Sequence, residues 1–267
     1  MILASLENPA PLKLSDGWLT CFTKRHGLRF RKMYCEAGSV DNAAVLEGRL
    51  AMQDITRHYA LRDVWNMNET GLRYRSAKQK GICKSDTPGL KKDKTRITIA
   101  LVANADGSKK RPAFYFGRAR RLHRFKGKDG EELGFYYRNN KKAWVTRALN
   151  TEWIKAFDRD MRSQGRDVLL LVNNASSHDL ESGELTNITV QKLPPNTTSH
   201  LQPMDMGIIS CCKGNYRERH LELACNRADE TMPDAAPERK SIYYVGQLQG
   251  MTWSDGSWGD DSQETAS

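Results

Sequence analysis

Val168 to Val172 reads VLLLV, five apolar residues in a row, and stops at two amides, Asn173 and Asn174. A run with no polar position leaves no face for water, which suits a strand buried on both sides in the centre of an α/β sheet. Side chains just past the C-terminal end of such a strand line the crevice where ligands bind. Asn173 stands at that place. With 267 residues, the chain is long enough for one sizeable core and a smaller module.

The flanking sequence supplies further elements. Ser15 to Gly27 (SDGWLTCFTKRHG) has a capping residue at Ser15 or Asp16, Trp18, Leu19 and Phe22 on one helical face, and a glycine stop. Arg25, Arg29, Arg31 and Lys32 cluster at its exit with no acid nearby, as in a helix-turn-helix that meets phosphates. An ordinary solvated basic loop would look the same. A second helix is expected from a Ser39 cap to about Tyr59. Short strands follow at 64–68, 96–103 and 112–116, the last two joined through Asp106-Gly107, and the three fit an antiparallel meander. Asn150 to Gln164 predicts an amphipathic helix capped by Asn150, striped by Trp153, Ile154, Phe157 and Met161, and ended by Gly165. After the 168–172 strand comes another at 188–193. Pro203 is then expected to open a helix reaching Cys225, with Asp205 in its first turn. Three strands, helix, strand, strand, helix describes an α/β fold with a ribonuclease-H-like mixed sheet flanked by helices.

Net charge is +10, but eight acids and two bases after residue 228 give that tail −6, leaving +16 on the first 228 residues. A field of that size favours a polyanionic partner such as DNA, although charge alone is equally compatible with a basic soluble protein. Nine bases and no acid lie between 109 and 128, among them Lys109, Lys110, Arg111, Arg118, Arg120 and Arg121. The interleaved Phe114 and Phe116 alternate as a buried strand face would. Six cysteines without a Cys-x-x-Cys pair argue for reduced thiols and against zinc. No apolar run approaches the roughly 20 residues of a membrane span, and the N-terminus lacks a signal-peptide pattern.

The stretches NMNETGLRYR (66–75), ALVANADGSKKRPAFYFGRAR (100–120), NKKAWVT (140–146), LLLVNNASSH (169–178) and LPPNTTSHLQPMDMGII (193–209) resemble the endonuclease domain of pogo/Tigger-type DDE transposases. Upstream, residues 17–41 resemble the end of a centromere-protein-B-type helix-turn-helix. The resemblance implies a helix-turn-helix remnant at 1–41, a helical connector at 42–62, an endonuclease domain at 63–228 and an acidic, poorly ordered tail at 229–267. It also implies a nuclear, DNA-binding protein without membrane association, related to enzymes that cut DNA with Mg2+ or Mn2+ held by three acids. Two such ions clamp the attacking and leaving oxygens of the phosphodiester, and hard cations require oxygen ligands, carboxylates above all.

The three acid positions fall at Asn68, Asn173 and Asp205, so two have become amides and the local charge falls from −3 to −1. Asp205 alone is a weak metal ligand. Glu69 should face away from Asn68 on a strand, Asp63 lies too far back, Asp167 sits at the wrong end of its strand, and Asp179 is left open by geometry. Three readings follow: a DNA-binding derivative without strand cleavage, an active enzyme with other ligands, or a remnant that binds proteins such as itself or related transposase subunits or has no function. The first is the expectation. Since residues 17–41 match only the end of the helix-turn-helix, binding through phosphates rather than sequence-specific recognition is expected.

Overall fold

A computed structural model of the chain describes residues 16–27, 42–76, 93–120, 128–180, 185–195, 197–229 and 242–259. The chain divides into a unit of residues 1–39 and a unit of residues 40–267. In the first, helix α1 (Asp16–Arg25) stacks Trp18 on Phe22 with ring centroids 5.0 Å apart. It ends at Gly27, whose φ of +61° is the left-handed conformation that glycine adopts at no steric cost.

The second unit is built on a six-stranded sheet. The strands are β1 (Val64–Leu72), β2 (Ile97–Asn104), β3 (Phe114–Gly117), β4 (Tyr136–Asn139), β5 (Val168–Val172) and β6 (Ile188–Lys192), in the spatial order β4-β3-β2-β1-β5-β6. The meander of β1, β2 and β3 is antiparallel as expected. β5 runs parallel to both neighbours, with Asn66 opposite Leu171 and Leu170 opposite Val190. All five β5 residues are buried, as an unbroken apolar run requires.

The two faces of the sheet carry separate cores. On one, Trp65, Met67, Phe114, Phe116 and Leu170 meet Trp153, Ile154, Phe157 and Met161 of helix α3 (Arg147–Ser163). On the other, Ile99, Leu101 and Tyr115 meet Ile209, Cys212 and Tyr216 of helix α5 (Ile209–Asp229) and Met251 and Trp258 of helix α6 (Gln247–Gly259). A short helix, α4 (Thr198–Leu201), precedes α5. Helix α2 (Asn42–Thr56) lies over the β1–β5 pair, with Met52, Ile55 and the following Tyr59 against Val64, Leu169 and Leu171. The alternating aromatics of β3 are core residues, at 1% exposure for Phe114 and 0% for Tyr115 and Phe116.

Several expectations change. Helix α3 is capped by Thr146, whose Oγ1 accepts from the Leu149 amide, and not by Asn150. Asn150 is one turn inside and fully buried, with no partner for its side chain among the described residues. A hydroxyl three residues before a free amide satisfies it without burying a polar group. At the other end, the Gly165 amide donates to Arg162 O and the Arg166 amide to Met161 O, the pair of bonds that a glycine stop makes. The helix expected from Pro203 instead begins as a wide turn, Met204–Ile208, before α5, which extends past Cys225 to Asp229. The Ser39 cap lies outside the described residues.

The poorly ordered tail is corrected over 247–259, which is helical with Met251, Ser254, Ser257 and Trp258 buried. Residues 242–254 contain no charged side chain, so the acidity that suggested disorder belongs to the tail's two ends. Strand β4, absent from the expected elements, is only four residues long and polar along one edge. Its anchor is Tyr137, whose hydroxyl donates to Ala119 O at 2.7 Å while the ring covers Gly117 and Gly130.

Candidate active site

Asn68 projects from β1 toward the α5 side of the sheet and is 4% exposed. Its Oδ1 accepts from its neighbour's backbone, the Glu69 amide at 2.9 Å, and from the side-chain amide of Asn173 at 3.3 Å. Asn173 follows β5 directly and its Oδ1 accepts from the Ala175 amide at 3.1 Å. Each amide oxygen is thus fixed by a backbone N–H, leaving the Asn173 NH2 free to donate across the gap. Two residues 105 apart in sequence meet because β1 and β5 are parallel neighbours.

The turn that carries Asp205 is held to β1 and β5 by a buried amide clasp. Asn66 donates to Leu171 O at 3.1 Å and to Gln202 Oε1 at 3.0 Å, while its own Oδ1 accepts from the Met204 amide at 3.1 Å. Gln202 donates in turn to Met67 O at 2.9 Å. The clasp holds the 204–208 turn against β1, and Asp205 sits exposed on that turn. Its charge bears on Lys213 of α5. Burial holds the Lys213 ammonium below its ordinary pKa, with Arg217 pushing the same way and Asp205 opposing. Asn66 and Gln202 both lie within the motifs that carry the resemblance, but no local pattern marks either as part of a clasp.

The neighbouring acids among the described residues are engaged with other partners. Glu69 faces the α3 side, with its Oε1 3.3 Å from Nε2 of the buried His178. Asp63 accepts from Arg166 at 2.8 Å, Asp167 from Asn187 at 3.0 Å, and Asp179 pairs with both Lys192 and Arg147. Two amides bonded to each other and one exposed carboxylate do not fit a pair of divalent cations. Among the described residues, no group of three or more His, Cys, Asp or Glu is placed to hold a metal ion.

The basic residues separate into two kinds. Arg25, Lys109, Arg118 and Arg120 are exposed. Lys110 donates to Trp258 O at 2.8 Å and lies over the Trp258 ring, and Arg111 pairs with Asp160 at 2.5 Å above Phe157. Both are engaged inside the fold. Arg29, Arg31, Lys32 and Arg121 lie outside the described residues. No helix among the described residues is long and apolar enough to cross a membrane.

A family model described as DDE superfamily endonuclease matches residues 94–258. The chain is 30% identical to CENP-B homolog protein 2 of Schizosaccharomyces pombe over 96% of its own length and 49% of that protein's. It is 34% identical to Tigger transposable element-derived protein 4 of Mus musculus over 77% of its length and 40% of that protein's. The chain therefore spans less than half the length of these relatives. The Mos1 strand transfer complex shares its fold, with a TM-score of 0.51 and 12% identity over 95% of this chain and 65% of that one. The chain belongs to the DDE superfamily endonucleases, in the pogo/Tigger-type transposase branch that includes its CENP-B-like relatives.

Proposed function

We propose that the chain is a transposon-derived, nuclear DNA-binding protein whose DDE site has lost strand cleavage. The observation that carries this reading is the hydrogen bond from the Asn173 side chain to Asn68 Oδ1. Two carboxylates at this separation would repel and invite a cation. Two amides satisfy each other and need none. The one remaining acid, Asp205, binds Mg2+ or Mn2+ weakly and cannot clamp two of them. DNA binding is supported by the +16 charge of the first 228 residues and by the exposed Arg118 and Arg120 next to the sheet. The family background supports a nuclear location and association with itself or with related transposase subunits.

The test pairs two assays on the purified chain. Binding to duplex DNA should weaken steeply as salt rises from 50 to 200 mM, the signature of counterion release. Supercoiled DNA incubated with Mg2+ or Mn2+ should stay unnicked. Nicking that disappears in Asp205→Ala would overturn the loss of cleavage. Binding that ignores salt would overturn the DNA-binding part.

A further inference from the structure

A groove of about 580 Å³ runs along the α5 side from the end of β1, lined by Arg73, Arg96, Lys213 and Arg217 together with Tyr216 and His220. Four permanent or usual cations share one concavity, and no carboxylate among the described residues lines it. Several other arginines are paired: Arg111 with Asp160, Arg138 with Glu131 and Glu152, Arg162 with Asp158, Arg166 with Asp63. The side chains of Arg73, Arg96 and Arg217 make no such pair among the described residues. Solvated surface charge normally spreads over convex surface; here it converges, and Arg217 already depresses the basicity of Lys213. An anion in the groove would relieve that repulsion.

The groove adjoins the C-terminal end of β1, the strand that carries Asn68. Lys213 Nζ donates to Thr70 Oγ1 at 2.6 Å, and Thr70 is two residues beyond Asn68 on the same face of β1. Asn68 and Arg73 are five residues apart, about 17 Å at the ~3.3 Å rise of a strand. That length matches roughly five nucleotides of one DNA strand at 3.4 Å each.

We infer that this groove holds the sugar-phosphate backbone of DNA, carrying the strand away from the Asn68–Asn173–Asp205 site. The inference rests on the DNA-binding reading above and assigns that binding to Arg73, Arg96, Lys213 and Arg217, none of them in the basic clusters that stand out in the sequence. The test is a salt titration of the full chain with fluorescent duplex DNA. Arg73→Gln with Arg217→Gln should lower the slope of log affinity against log salt by about 1.8, or about 0.9 per lost phosphate contact. Between 50 and 200 mM salt the variant should then lose about tenfold less affinity than the wild type. Arg73→Lys with Arg217→Lys should keep the slope. Lys141→Gln with Lys142→Gln, at exposed positions outside the groove, should change it little if binding is concentrated there. All variants should melt with the wild type, because no internal partner is lost. A folded Arg73→Gln/Arg217→Gln chain with the wild-type slope overturns the groove alone. A wild-type chain that binds no DNA overturns both the groove and the reading beneath it.

Discussion

Returning carboxylates to both amide positions, Asn68→Asp with Asn173→Asp, tests the site through stability before any catalysis is measured. The facing side-chain atoms are 3.3 Å apart. Two unit charges at that distance repel by about 5 kcal/mol at an effective dielectric constant of ~20, and the lost amide hydrogen bond removes about 1 kcal/mol more. The pair has an escape: one carboxyl keeps its proton, its pKa raised by the other. Holding a proton about three units above the usual value costs about 4 kcal/mol at neutral pH, which sets the expected loss. For a unit of this size that lowers Tm by about 8–16 °C. The penalty exists only above the unfolded-state pKa of about 4 and vanishes below it, where both carboxyls are protonated in either state. A divalent ion at 100 times its dissociation constant should return about 2.7 kcal/mol. Scanning calorimetry in EDTA, Mg2+ and Mn2+ reads all of this, with the wild type expected to ignore the ions. A double variant that melts with the wild type in EDTA and gains nothing from metal would refute the reasoning, because the two positions would then not face one shared charge site. If the variant also nicks DNA, the amides alone disabled the chemistry.

Three further outcomes follow from the packing. Asp158 is buried, and burial alone would raise its pKa, but the amides of Asn187 and Thr186, the Thr186 hydroxyl and Arg162 hold its carboxyl below the ordinary value. Asp158→Ala leaves those buried donors unmet and should cost about 3 kcal/mol in urea unfolding at pH 7. Because the folded-state pKa is lowered, that advantage is present above about pH 4 and should fade as pH falls through the folded value. Gly117→Ala would set a Cβ 2.0 Å from the Tyr137 hydroxyl, so β4 should loosen at a cost of about 2 kcal/mol, visible as faster amide exchange over residues 136–139. Gln202→Ala removes two buried side-chain bonds of the Asn66 clasp and should cost about 2–3 kcal/mol, with exchange rising at 204–208 while β6 stays protected.

The parts of this fold that could be read from residue order are those whose signal is local. Five apolar residues announced β5, the Asp-Gly turn announced the β2–β3 return, and the Trp153–Met161 stripe with Gly165 announced most of α3. The meeting of Asn68 and Asn173 was implied by the resemblance to DDE endonucleases, and the parallel pairing of β1 and β5 brings it about. The remainder depended on contacts far apart in sequence. Strand β4 is only four residues long, and although its two tyrosines favour extended backbone, its place depends on Tyr137 fitting over two glycines outside the strand. Helix α6 has no strong amphipathic stripe, since glycine and serine make its close approach to Tyr74 and α5 possible. Lys213 and Arg217 are separated by one helical turn and become groove residues only when α5 is laid across the end of β1. Asn150 misled because a residue type that favours caps is here enclosed by the core, while Thr146 does the capping.

The latch formed by α6 has a consequence for how the chain is made. Trp258 donates to Arg111 O across 147 positions, Lys110 returns a bond to Trp258 O across 148, and the Tyr115 hydroxyl donates to Met251 O across 136. A ribosome adding about 5–20 residues per second finishes β3 roughly 7–30 s before it delivers the helix that covers it. During that interval the apolar face around Ile99, Leu101 and Tyr115 lacks part of its native cover. A nascent chain paused before residue 247 therefore exposes apolar surface that a chaperone would have to cover.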